Sequence, residues 1–162
     1  MNRPAIIGVM GGGSVSPETS DLAYRLGGVL AVEGWIVLNG GRNEGIMDAV
    51  SHGAKDSGGL VVGVLPDSSL ERASSYLTIP IRTGLGDGRN VINILSSDVV
   101  VALPGGAGTI SEIALSLKNH KPLFLLGWKT PPAIPGHEGA LILLSTIPDL
   151  LSMIKETLAN IC

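Results

Sequence analysis

The sequence predicts an α/β fold: a single Rossmann-like domain over residues 1–162, built on a doubly wound parallel sheet of about six to seven strands. Three observations predict it. Short continuous apolar runs alternate with longer amphipathic segments, the pattern of parallel strands covered on both faces. Glycine clusters follow three of the apolar runs, at the strand-to-helix turns. The length of 162 residues suits one domain, with enough chain for a core that needs no disulfide or metal staple.

Strands are expected over residues 5–10, 35–39, 60–65, 77–81, 98–103 and 122–127, with a short seventh over 141–144. The first helix is expected over 17–33, with Ser16 as N-cap, Pro17 at the first helical position and Gly34 closing it. A second runs over 44–56 and ends in Gly58-Gly59, a third over 89–96 and a fourth over 109–119. The last begins near Pro148 and carries Leu150, Leu151, Ile154 and Leu158 on one face. Strands alternating with helices imply right-handed crossovers. The Pro-rich stretch 130–136 reads as a surface loop, and no internal repeat interrupts the pattern.

Composition narrows the partners. Hydrophobic residues make up 44% and charged residues only 15%, with a mean hydropathy of +0.40. So little charge on a small chain implies apolar surface hidden against copies of itself, so a homodimer or homotetramer is expected. A membrane is not expected, because runs such as 60–65 and 99–103 fall far short of the roughly 20 residues of a spanning helix. The stretch 5–10 is too short for a signal segment and reads as a first buried strand. The net charge is -3 and no Lys/Arg run occurs, so no nucleic-acid partner is expected. The one cysteine, Cys162, makes no internal disulfide, which fits a reducing, cytoplasmic setting.

Ligands of doubly wound sheets bind beyond the carboxyl ends of the strands. The three glycine clusters fall there: Gly11-Gly12-Gly13-Ser14, Gly40-Gly41-Arg42, and Gly105-Gly106-Ala107-Gly108-Thr109 after Pro104. Glycine admits sharp turns and close backbone approach, and a following helix start favours an anion. The ligand expected is a phosphate-bearing small molecule. Neither standard nucleotide fingerprint is present. The third cluster lacks the Lys-Ser/Thr of a P-loop, and the first lacks G-x-G-x-x-G spacing.

The third cluster continues as Pro104-Gly-Gly-Ala-Gly-Thr-Ile-Ser-Glu112. It resembles a superfamily marked by P-G-G-x-G-T-x-x-E, which holds the LONELY GUY cytokinin-activating phosphoribohydrolases, often labelled lysine decarboxylase-like, and the molybdenum cofactor carrier proteins. Residues 40–50 resemble the superfamily's second glycine segment and 59–66 its third strand. The hydrolases carry an Arg-Lys pair where this chain has Arg89-Asn90, and a double glutamate where it has Ser111-Glu112. The Met-Gly-Gly-Gly start and the Arg-Asn pair are similar to the carrier branch. The resemblance therefore implies a carrier that binds, protects and transfers molybdopterin-based molybdenum cofactor to a molybdoenzyme acceptor. The alternative it implies is a phosphoribohydrolase cleaving the N-glycosidic bond of nucleoside 5′-monophosphates, with Arg89 holding substrate and Glu112 stabilising an oxocarbenium-like ribose.

Two roles are open to Glu112: a functional carboxylate, or half of a capping box with Thr109. Arg89 opens a helix, where the dipole disfavours a cation, and reads as a bidentate clamp for phosphate or carboxylate. Arg42 reads either as a second ligand contact or as a solvated loop arginine. Asn90 and Asn43 read as helix caps. His52, His120 and His137 show no ligand spacing, so no metal site is expected. Cys162 reads as a frayed terminus. Trp128 reads as a ligand shield or, more ordinarily, as an interface residue.

Overall fold

The computed structural model describes residues 3–161, so Cys162 lies outside the described residues. Seven strands form one sheet: β1 (Ile6–Met10), β2 (Ile36–Asn39), β3 (Val61–Leu65), β4 (Ile79–Arg82), β5 (Val99–Ala102), β6 (Leu123–Leu126) and β7 (Ile142–Leu144). Their spatial order is β4-β3-β2-β1-β5-β6-β7, and every pairing is parallel. Five helices connect them: α1 (Pro17–Val32), α2 (Gly45–Asp56), α3 (Arg89–Ser96), α4 (Ala107–Lys118) and α5 (Ile147–Ile161). This is the Rossmann-like architecture. The chain winds outward from β1 to β4, then returns to β1's other side at β5. That reversal opens a crevice between the carboxyl ends of β1 and β5.

The pleat sorts the strand side chains into two cores. Ile7, Val9, Val99 and Val101 pack with Leu26 and Leu30 of α1, Val50 of α2 and Leu150 of α5. Met10, Val100 and Ala102 face the opposite layer, with Ile94 of α3 and Ile113 of α4. Central strands buried on both faces account for their unbroken apolar runs. Ser16 caps α1 as its sequence suggests, its hydroxyl accepting from Thr19 N at 3.2 Å, with Pro17 opening the helix.

Two elements differ from expectation. The fourth strand starts at Ile79 instead of residue 77, because Leu77 fills the space over Gly63, where a Cβ would meet its methyl carbon at 2.5 Å. The fourth helix starts at Ala107, two residues earlier than the Thr-x-x-Glu pattern suggested, with Gly106 as its N-cap. A short 3-10 turn, Gly86–Gly88, leads directly into α3.

Candidate functional site

The first and third glycine clusters are laced together backbone to backbone. Gly12 N donates to Pro104 O at 3.1 Å and Leu103 N to Met10 O at 2.9 Å. Gly105 needs its missing side chain for this approach, since a Cβ would stand 2.7 Å from Gly12 N and collide with the Thr109 hydroxyl. Gly106 and Gly108 are different. A Cβ on either meets no protein atom within 4 Å, and neither has a positive φ. Their emptiness faces a cavity. The turn itself does not require glycine at either position.

That cavity measures about 310 Å³ and lies at the crevice. It brings together most of the residues singled out from sequence: Gly11, Gly12, Gly13, Gly40, Arg42, Arg89, Gly106, Gly108, Thr109 and Glu112. Four others stand apart. Ser14 lines a neighbouring cavity of about 700 Å³, which shares Gly13 and Glu44 with the first. Gly41, Gly105 and Ala107 do not line the cavity. Gly41 packs its backbone against Gly63 instead.

Helix starts differ in what they leave for a ligand. The α1 start is capped by Ser16. At α2, Ile46 N donates to Gly12 O at 3.0 Å. The α3 start is fed by the preceding 3-10 turn, whose carbonyls accept from Arg89 N. The α4 start has a glycine N-cap with no side-chain acceptor. Its first amides therefore have no protein acceptor among the described residues, and its positive dipole end lies beside the cavity that Gly106, Gly108 and Thr109 line.

Arg89 crosses the cavity wall with three of its five N–H bonds already used. Nη1 donates to the carbonyls of Gly40 and Val64, and Nε to Asn90 Oδ1 at 3.1 Å. Glycine at position 40 makes room, since a Cβ would stand 2.5 Å from Nη1. Nη2 has no acceptor among the described residues. A free bidentate clamp is thus not what the fold holds. It holds an anchored guanidinium with one nitrogen to spare. Burial pulls the Arg89 pKa below its ordinary value, opposed chiefly by the nearby Glu112 carboxylate.

Glu112 does not cap α4. Its side chain is 7% exposed, deep in the second turn, and accepts from Asn93 Nδ2 at 3.1 Å. Thr109 is the third helical residue instead of the cap, so the capping box does not form. Burial pushes the Glu112 carboxyl up to about 7, against the lowering effects of Asn93 and Arg89. Asn93 Oδ1 beside it is buried without a partner.

Arg42 is no solvated loop arginine. It pairs with Asp67 at 3.2 Å and Glu44 at 3.7 Å. Asn43 is exposed and precedes the actual α2 cap, Glu44. Asn90 lies inside α3, buried, and lines the cavity. Trp128 Nε1 donates to Ala102 O at 2.8 Å, bracing the end of β5. Among the described residues no three His, Cys, Asp or Glu side chains gather as metal ligands. Sequence reasoning missed Asp87, Glu44 and Met47 on the cavity wall. Asp87 had a signal, the Gly-Asp-Gly turn directly before Arg89. Met47 had none, since a methionine near a helix start looks like core.

The SLOG cluster4 family matches residues 4–146. The chain belongs to the SLOG cluster4 family. Among solved structures, this SLOG cluster4 chain is similar to the molybdenum cofactor binding protein of Rippkaea orientalis, with TM-score 0.89 and 42% identity over 98% of this chain and 99% of that one. It is also similar to the molybdenum cofactor carrier protein of Chlamydomonas reinhardtii, with TM-score 0.85 and 40% identity over 97% and 99%. A cytokinin riboside 5′-monophosphate phosphoribohydrolase of Mycobacterium marinum is 32% identical over 99 residues, 60% of this chain and 53% of that protein. The chain thus spans about half the length of that hydrolase.

Proposed function

We propose that this SLOG cluster4 protein is a carrier that binds, protects and hands over a phosphate-bearing small molecule, the molybdenum cofactor. The observation that carries the reading is the near full-length likeness to two proteins named for binding or carrying that cofactor. The site is chemically compatible with it. The uncapped α4 start and Arg89 Nη2 suit a phosphate, held by the backbone of residues 105–109. The first and second glycine clusters, with Arg42, would line the rest of the ligand. The adjoining cavity across Gly13 and Glu44 gives room for its organic part. The cofactor here is cargo, and no step of chemistry on it is assigned to the chain.

The expected setting is a cytoplasmic homodimer or homotetramer delivering to a molybdoenzyme acceptor. No helix of the described residues is long and apolar enough to cross a membrane.

One observation favours a second reading. A buried carboxyl held near neutrality on the cavity wall suits the acid–base work of a nucleoside 5′-monophosphate phosphoribohydrolase, with Glu112 beside the ribose and Arg89 on the phosphate. Mass spectrometry of small molecules co-purifying with the native protein separates the two. A phosphorylated pterin supports the carrier. A nucleoside monophosphate, together with release of free base on incubation, supports the hydrolase and overturns the carrier.

A further inference from the structure

Three side chains join the two walls of the cavity into one directed hydrogen-bond relay. Gly108 O, in the first turn of α4, can only accept, and Ser111 Oγ donates to it at 2.7 Å. With its proton spent, the Ser111 hydroxyl accepts from Asn90 Nδ2 at 3.1 Å. The Asn90 amide is thereby oriented, with Oδ1 toward α3's own arginine. Arg89 Nε, which can only donate, closes the relay at 3.1 Å. Both ends have fixed polarity, so every link between them is fixed as well.

The relay matters because of what it leaves free. Arg89 Nη1 is pinned to the Gly40 and Val64 carbonyls beyond β2 and within β3. Both N–H bonds of Nη1 are spent on those carbonyls, and pinning Nε as well holds a second nitrogen of the planar guanidinium and with it the direction of the unpaired Nη2. We propose that Asn90 is a positioning residue for a bound anion, acting through the Arg89 guanidinium, and that Ser111 fixes Asn90 in turn. The proposal rests on the anion site described above. It deepens that site by assigning its rigidity to a neutral pair, of which Asn90 lines the cavity and Ser111 stands behind it. Because Ser111 hangs on the same helical turn as Gly108, the relay also sets the guanidinium against the amides that would share the anion.

The test uses isotopically labelled full-length protein, with inorganic phosphate as the probe, followed by nuclear magnetic resonance. In the ligand-free parent the Arg89 Nε–H resonance is expected to be sharp, and in Asn90→Ala broadened or lost while the backbone spectrum persists. Phosphate is expected to bind Asn90→Ala about tenfold more weakly. In an Arg89→Ala background the same substitution is expected to weaken binding no further, because the group it positions is gone. Ser111→Ala, at an exposed site, should weaken phosphate in the same direction if Asn90→Ala folds poorly. A merely structural asparagine would lower stability without this loss of additivity. The proposal is overturned if the Arg89 signal and phosphate affinity survive Asn90→Ala, or if the two substitutions add. Failure of the anion site itself looks different: phosphate then shifts none of the 105–109 amides in the parent, which overturns the site and the positioning role together.

Discussion

Asn90 Nδ2 donates to Ser111 Oγ at 3.1 Å, across the gap between α3 and α4. These are the two positions at which the chain departs from the hydrolase pattern, asparagine for lysine and serine for glutamate. In this chain a neutral hydrogen bond joins the two positions at which the hydrolase pattern has residues of opposite charge. Asn90→Lys alone would leave an unpaired cation on the cavity wall and Ser111→Glu alone an unpaired anion beside it, whereas the double variant places the two charges together.

The first prediction follows. The parent releases little or no free base from adenosine 5′-monophosphate. Asn90→Lys and Ser111→Glu each fail to improve on it, and the double variant releases base at least about a hundredfold faster, the low end of what one acid–base group contributes. Rapid turnover by the parent contradicts the carrier reading directly.

Glu112 supplies a pH dependence. Its folded pKa of about 7 exceeds the ordinary 4.5 because burial disfavours the charge. A raised folded value means that the stability tied to this proton is fully present below about 4.5 and is lost as pH rises through about 7. Glu112→Gln keeps an oxygen for Asn93 Nδ2 without the titration. Urea melts should therefore show the variant gaining on the parent between about pH 5 and about pH 8, by up to roughly 3 kcal/mol. A pH-independent gap contradicts the buried acid.

The glycines of the third cluster should separate by role. Gly105→Ala collides with Thr109 and Gly12 N and is expected to cost about 1–3 kcal/mol by denaturant melt. Gly106→Ala meets nothing and should melt like the parent. Equal destabilisation would mean that the two turns are not laced as described.

Several apolar side chains on and around α3 and α4 stay open to solvent: Leu85, Val91, Leu95 and Ile110 are each more than a third exposed. Sedimentation at micromolar concentration should give the mass of two or four chains, against 16.6 kDa for one. A single-chain mass contradicts the assembly.

The strands were legible because central parallel strands, buried on both faces, cannot hide as anything but apolar runs. The crevice was legible because three glycine clusters had to end strands on one edge. Edge strand β4 was misplaced since Leu77, apolar and adjacent, belongs to Gly63's hollow and not to the ladder. The α4 start was misplaced because Thr109 and Glu112 have capping-box spacing, while tertiary burial against Asn93 claims the glutamate. Arg89's anchoring was illegible, because two of its acceptors are backbone carbonyls 49 and 25 residues away in the chain. No residue type announces such a partner.

The central claim is that an anion sits on the 105–109 turn. Calorimetric titration of Gly106→Val with the co-purified ligand, or with inorganic phosphate as a weak surrogate, tests it most directly. The structure leaves open space for the new side chain, so circular dichroism should match the parent. Binding should vanish, because the valine occupies the anion's position beside the unpaired α4 amides. Arg89→Ala, titrated alongside, should weaken binding by about 1.5–3 kcal/mol through loss of a charge-assisted hydrogen bond. A folded Gly106→Val protein that binds like the parent would contradict the account, because the ligand would then sit elsewhere.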